Sequence, residues 1–163
     1  MPTLEIYFRE SVTTADEQNV RRIVQSTGFF SLDEVTIAEE LVMERLHKGL
    51  ESGYHFLFAD FNDQTIAYSC FGPIPATRFS YDLYWIAVHD HWRGKGIGRN
   101  VLEASEKAIK KLGGQRIYAE TSGREQYQPT RAFYSSCGYK EEAVLEDFYA
   151  PGDAKYFYVK SLD

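Results

Sequence analysis

Cysteine, methionine and tryptophan each occur only twice in this chain of 163 residues, and histidine four times. Cys70 and Cys137 stand in apolar or helical surroundings and form no paired motif, so two free thiols of a reducing compartment are expected, not a disulfide scaffold. His89-Asp90-His91 is a close histidine pair with no third or fourth ligand at usable spacing, and two loop histidines after a strand are a better reading than a metal centre. No apolar run reaches the length of a membrane span. The opening residues, MPTLEIYFRESV, carry Glu5 and Arg9 and no apolar signal core, so we expect a cytoplasmic protein with no membrane partner. Basic charge is scarce as well: 18 Lys and Arg stand against 24 Asp and Glu, for a net charge of -6. That balance excludes nucleic-acid binding as a primary role, because the phosphate backbone demands a basic surface. It suits a cationic substrate better. Internal repeats, linkers and low-complexity segments are all absent.

What is abundant is aromatic: 15% of the residues, twelve of them tyrosine, with a cluster after residue 118. Most of these should be core or cross-strand pairs. The length suits one domain, residues 1–163, with a full core.

Periodicity then divides the chain. Leu4–Phe8 alternates as a strand. Ala15–Ser26 is helical, with Asp16 as its cap and Val20, Ile23 and Val24 as its buried face. Gly28-Phe29-Phe30-Ser31 breaks it, and the two phenylalanines are read as core plugs or as a cleft wall. A second helix spans 33–50, with Val35, Ala38, Leu41, Val42 and Leu46 on one stripe. Strands at 54–61 and 65–71 flank an Asn62-Asp63-Gln64 turn. A further strand, 81–88, leads into a glycine-rich turn and a helix, in which Ile97, Val101, Leu102, Ser105, Ile109 and Leu112 recur at helical spacing. After it come a strand at 115–121, a short helix at 129–136 opened by Pro129, and strands at 139–145 and 155–160. The segment Glu146–Asp153 is read as a long loop, in which Asp147 or Asp153 could meet a cationic group.

The stretch 81–112 organises the rest. Arg93-Gly94-Lys95-Gly96-Ile97-Gly98 removes side chains where a ligand would approach the backbone. It leaves the amides of the turn and first helical turn facing outward, where the helix dipole favours an anion. Arg93, Lys95 and Arg99 add cationic donors. The spacing fails both the nucleoside-triphosphate loop and the dinucleotide pattern.

This hexamer, after the hydrophobic strand end Trp85-Ile86-Ala87-Val88, resembles the pyrophosphate loop of the GNAT superfamily of acetyl-CoA-dependent N-acetyltransferases, whose pattern is Gln/Arg-x-x-Gly-x-Gly/Ala. The element order resembles that fold over the whole chain. The resemblance implies an α/β (α+β) architecture, with a mixed central sheet of about seven strands and about four helices, splayed between strands 4 and 5. It implies acetyl-CoA as co-substrate, held by Ile86, Ala87, Val88, Arg93, Gly94, Lys95, Gly96, Ile97, Gly98 and Arg99, with no metal. A backbone N–H near Val88 would serve the oxyanion. Homodimer pairing along the C-terminal edge is compatible with such a fold.

Acetyl transfer to an amine needs a base, an oxyanion donor and an acid for the leaving thiolate. Thr130–Tyr139 resembles the family's Ala-x-x-Leu-Tyr-x-x-x-Gly-Phe segment, which makes Tyr134 the candidate acid. The family often has an asparagine seven residues before that tyrosine, where this chain has Tyr127. The base candidates are Asp82 and Glu120. Asp82 opens its strand on the face of Tyr84, Ile86 and Val88, six residues before Val88, an offset at which some family members place a glutamate base. Glu120, a carboxylate inside an apolar strand, needs a buried partner or a substrate ammonium. Arg124, Tyr127 and Arg131 are candidates for a substrate carboxylate. The expected acceptor is a primary amine of a small molecule such as an amino acid or polyamine. A non-catalytic acyl-CoA-binding module and a protein N-acetyltransferase are the alternatives.

Overall fold

The computed structural model describes residues 5–163; Leu4, the expected start of the first strand, lies outside them. Its elements are β1 (Tyr7–Arg9), α1 (Asp16–Thr27), α2 (Leu32–Lys48), β2 (His55–Phe61), β3 (Gln64–Pro73), β4 (Ser80–Val88), α3 (Ile97–Lys111), β5 (Arg116–Ser122), α4 (Gln128–Ser136), β6 (Lys140–Ala150) and β7 (Asp153–Ser161). The strands form a seven-stranded mixed sheet in the order β1-β2-β3-β4-β5-β7-β6. The chain divides into two compact units, residues up to 72 with 85–108, and 73–84 with 109–163.

In the first unit, α1 and α2 lay Val20, Ile23, Val24, Val35, Ala38 and Val42 on Phe56, Phe58 and Tyr68 of β2 and β3. Burying each of these large side chains contributes about 1.5–3 kcal/mol. β2 and β3 form a hairpin closed by Asn62 and Asp63, both at positive φ, as a two-residue turn that matches strand twist requires. Ser31 starts α2 with a capping box: Glu34 N donates to Ser31 Oγ at 3.2 Å, and Ser31 N donates to Glu34 Oε1 at 3.1 Å.

Three expectations are corrected here. Asp16 is the first residue of α1, not its cap, and its fully buried carboxylate accepts from the Arg9 guanidinium and from Thr13 N. Leu46 is 40% exposed, because α2 buries only a narrow stripe through Val35, Ala38 and Val42. Leu112 is 49% exposed, because α3 stops at Lys111, one residue short of the expected stripe.

In the second unit, β5 runs parallel to β4 through Ser80–Leu83 against Arg116–Ala119. That register ends at Leu83 and Ala119. β7 pairs antiparallel with both β5 and β6. A side chain at Gly114 would meet the Tyr81 ring at 2.8 Å, so only glycine lets the chain enter β5 beside that ring.

Glu146–Asp153 is not a loop. β6 continues through it to Ala150, with an irregularity between Leu145 and Ala150. Asp147, at φ 57, absorbs the kink, and its carboxylate accepts from Gly152 N at 2.7 Å across the turn.

Candidate active site

The glycine-rich turn expected to bind an anion lies in the first unit. β4 ends in Trp85-Ile86-Ala87-Val88, with Ala87 buried in the core and Trp85 packed on it. His89 N donates to Ile66 O at 2.8 Å, Asp90 N donates to Ser26 Oγ at 3.0 Å, and Trp92 packs on Phe61. These contacts fix the exit from β4. Gly94 and Gly96 then take φ 74 and 78, and a side chain added at either would meet nothing within 4 Å. The turn therefore needs glycine for its backbone angles, and its surface is open for a ligand to lie against.

Ile97, Val101, Leu102 and Ile109 anchor α3 beneath the turn, and Ser105 Oγ bonds Ser69 Oγ at 2.6 Å. The first amides of such a helix have no acceptor within it. Arg93, Lys95 and Arg99 are exposed around them, and Arg93 reaches Asp90 at 3.3 Å. A cradle of open amides ringed by cations fits a pyrophosphate. Gly96→Ala is expected to cost about 1–2 kcal/mol of stability from its left-handed angle and to weaken CoA binding. Denaturant unfolding and calorimetric titration read the two effects separately.

Both candidate carboxylates lie in the second unit and line one open cleft of about 310 Å³, together with Tyr118 and Phe157. Asp82 sits opposite Tyr118 in the parallel register, and Glu120 opposite Phe157 in the antiparallel one. Alternation then brings Tyr118 and Glu120 to one face of β5. Burial, and next the charge of Glu120, raise the Asp82 carboxyl above its ordinary value, while Lys155 opposes them. Glu120 Oε2 is held at 2.6 Å by Lys155 Nζ. Lys155 was not legible as a partner: it stands two residues from Phe157, so it becomes a diagonal neighbour of Glu120 only through the β5–β7 register.

Tyr134, on α4, is 5% exposed and stands in a cluster of rings with Phe133, Tyr139 and Tyr158, at centroid distances of 5.6, 5.6 and 5.7 Å. Burial, and then Cys137, push its phenol well above the ordinary value. It is therefore a protonated donor throughout the neutral range.

Other candidate groups are engaged in holding the fold. Asp153 accepts from Ser122 Oγ and pairs with Arg124 at 3.2 Å, and Asp147 braces its own turn. Arg131 Nη1 donates to the carbonyls of Ser122 and Arg124 at 2.7 and 3.0 Å. The two phenylalanines part: Phe30 packs on Trp85, while Phe29 is partly exposed with the Arg93 guanidinium 5.8 Å from its ring centre. His89 Nδ1 accepts from His91 N at 3.2 Å.

An acetyltransferase (GNAT) domain family matches residues 52–141, which include β4, the glycine turn, α3 and α4. The chain belongs to the GNAT acetyltransferases. That family is one of acetyltransferases.

Among known proteins, the chain is 36% identical over 78 residues to an N-alpha-acetyltransferase of Sulfurisphaera tokodaii, a match that spans 47% of this chain and 46% of the relative. The chain thus matches about half the length of that relative. It superposes on a GNAT-family protein from Desulfovibrio desulfuricans with TM-score 0.96 and 45% identity, covering 98% of this chain and 100% of that one. An aminoglycoside 6′-N-acetyltransferase complexed with coenzyme A shares the fold, with TM-score 0.76 and 16% identity, over 96% of this chain and 97% of that one. Among the described residues, no helix is long and apolar enough to cross a membrane.

Proposed function

We propose that the chain acetylates a primary amine of a small molecule, such as an amino acid or a polyamine, by direct attack of the amine on the acetyl thioester. The observation that carries this reading is the open cleft of about 310 Å³ in which Asp82 and Glu120 meet the rings of Tyr118 and Phe157. Carboxylates and π-faces are the groups that attract an ammonium, and the volume lies at the small-ligand end of binding pockets.

In this reading, Asp82 takes the proton from the acceptor, and burial followed by the charge of Glu120 raises its affinity for that proton, the direction a base needs. Glu120, paired with Lys155, lines the same wall. The Val88 N–H serves the oxyanion, and Tyr134 protonates the departing thiolate. The Gly94–Gly98 turn with Arg93, Lys95 and Arg99 holds the pyrophosphate. Two buried free thiols, Cys70 and Cys137, agree with a cytoplasmic setting.

A second reading, acetylation of a protein N-terminus, is favoured by the partial match to an N-alpha-acetyltransferase. Thiol release from acetyl-CoA across amino acids, polyamines, aminoglycosides and short peptides decides between them. Turnover confined to peptides overturns the small-molecule reading. With the acceptor found, Asp82→Asn is expected to lower kcat/KM by about a hundredfold or more; full turnover by that variant removes Asp82 as base. CoA binding without turnover of any amine would instead support a binding module.

A further inference from the structure

Glu120 does not face the cavity alone. Lys155, on β7, presents only 13% of its side chain to solvent, and its Nζ stands 2.6 Å from Glu120 Oε2. The same ammonium lies 4.3 Å from the centre of the Phe148 ring and 4.9 Å from that of Phe157. Two π-faces and a carboxylate surround one cation, and each holds it where the others need it. Phe157 is shared, since it also lines the cavity with Asp82 and Glu120. Asp82 forms no ion pair among the described residues.

We propose that Lys155 is a positioning residue of the acceptor site: it fixes Glu120 as a paired charge and leaves Asp82 as the cavity carboxylate that exchanges a proton. The proposal rests on the reading of Asp82 as the base. Its physical ground is that two carboxylates lining one small cavity oppose each other's ionisation. A cation placed against one of them separates the two. Lys155 acts on Asp82 in two ways, directly through its own charge and indirectly by cancelling that of Glu120.

The surrounding groups leave this part to Lys155. From β5 the cavity receives Tyr118 and Glu120. From the β6–β7 hairpin, Tyr149 faces Glu120 and Asp153, and Tyr127 approaches from the turn before α4; burial, followed by those two acids and Tyr127, raises the Tyr149 phenol, which therefore stays neutral. Asp153 is matched by Arg124. Lys155 is thus the cation that opposes Glu120.

The test needs no knowledge of the acceptor. Side-chain carboxyl carbons are titrated by NMR in the full-length protein, with the Asp82 signal assigned by its loss in Asp82→Asn. In Lys155→Met, which keeps an apolar stem against the rings and drops the charge, the Asp82 midpoint is expected to move to higher pH. In Lys155→Arg it is expected to stay near wild type. In Glu120→Gln it is expected to move to lower pH.

An Asp82 midpoint that is unmoved or lowered in folded Lys155→Met overturns the proposal. If that variant fails to fold, Glu120→Gln and Lys155→Arg still decide: an unmoved midpoint in the first, or a raised one in the second, overturns it. Once an acceptor is in hand, the acidic limb of kcat/KM in Lys155→Met should move to higher pH and return in Lys155→Arg. A lysine that only braces the hairpin would lower stability without moving that limb. Full turnover by Asp82→Asn would remove the base reading while leaving the titration result standing, so the two failures are distinguishable.

Discussion

Replacing Tyr134 by Phe is expected to lower kcat by about a hundredfold to ten-thousandfold, the usual contribution of a positioned general acid. CoA affinity and thermal midpoint should stay close to wild type. The substitution removes one oxygen and keeps the ring, so the contacts with Tyr139 at 5.6 Å and Tyr158 at 5.7 Å persist. A tyrosine placed only for packing would tolerate it with no loss of rate. The raised pKa of the phenol adds a second expectation. Burial, with Cys137 behind it, keeps the proton on Tyr134 far above neutrality, so ionisation of this acid should contribute no fall in rate between pH 7 and the ordinary tyrosine value of about 10. Steady-state rates over that range, with CoA binding measured by calorimetry, check both expectations. Unchanged turnover in Tyr134→Phe would assign the residue to the aromatic core alone.

The parts of this protein that were legible in its sequence are the local ones. β4, the glycine turn and α3 form one continuous stretch, and each signal in it is read within a few residues: a run of β-branched and aromatic residues, glycines that end at positive φ, and an apolar stripe at helical spacing. The Asn62-Asp63 hairpin was legible for the same reason. What escaped depended on register. Lys155 meets Glu120 only because β7 lies antiparallel to β5 with Phe157 opposite Glu120, and nothing near either residue announces that pairing. At the β6–β7 hairpin, Pro151-Gly152 and two acids suggest a loop. Asp147 at positive φ lets the strand bend and continue, so Phe148 reaches the Lys155 ammonium from a strand. The arginines considered for a substrate carboxylate illustrate the same point in reverse. Arg124 and Arg131 look available in the sequence, yet in the fold they meet Asp153 and backbone carbonyls.

Asp16 is the clearest case of a residue whose apparent role and real partner differ, and removing it should produce the largest loss of stability. A carboxylate at the start of a helix reads as a cap. Here it is fully buried and accepts two bonds from Arg9, at 2.8 and 2.7 Å, one from Thr13 N at 2.8 Å and one from Asn19 Nδ2 at 3.0 Å. Arg9 also reaches Asp60 at 2.7 Å and lies over the Phe58 ring, so the network ties β1, α1 and β2 to the aromatic core. Asp16→Ala leaves the guanidinium, in a partly buried site, with one carboxylate partner, Asp60, in place of two, a change that costs about 3–5 kcal/mol. Urea unfolding with an unchanged slope would register it as a lower midpoint. Combining it with Arg9→Ala should cost less than the two single losses added, because the partners are coupled. The charge also sets an acid dependence. Burial by itself would raise the Asp16 carboxyl; the bonds from Arg9, Thr13 and Asn19 outweigh it and hold the group below its ordinary value. An unfolded aspartate ionises near pH ~3.9, so this stabilisation is complete above that value and is lost as pH falls through the lower folded one. Asp16→Asn should therefore flatten the fall of stability in that acid window. An equally steep fall in that variant would assign the acid sensitivity to other carboxylates.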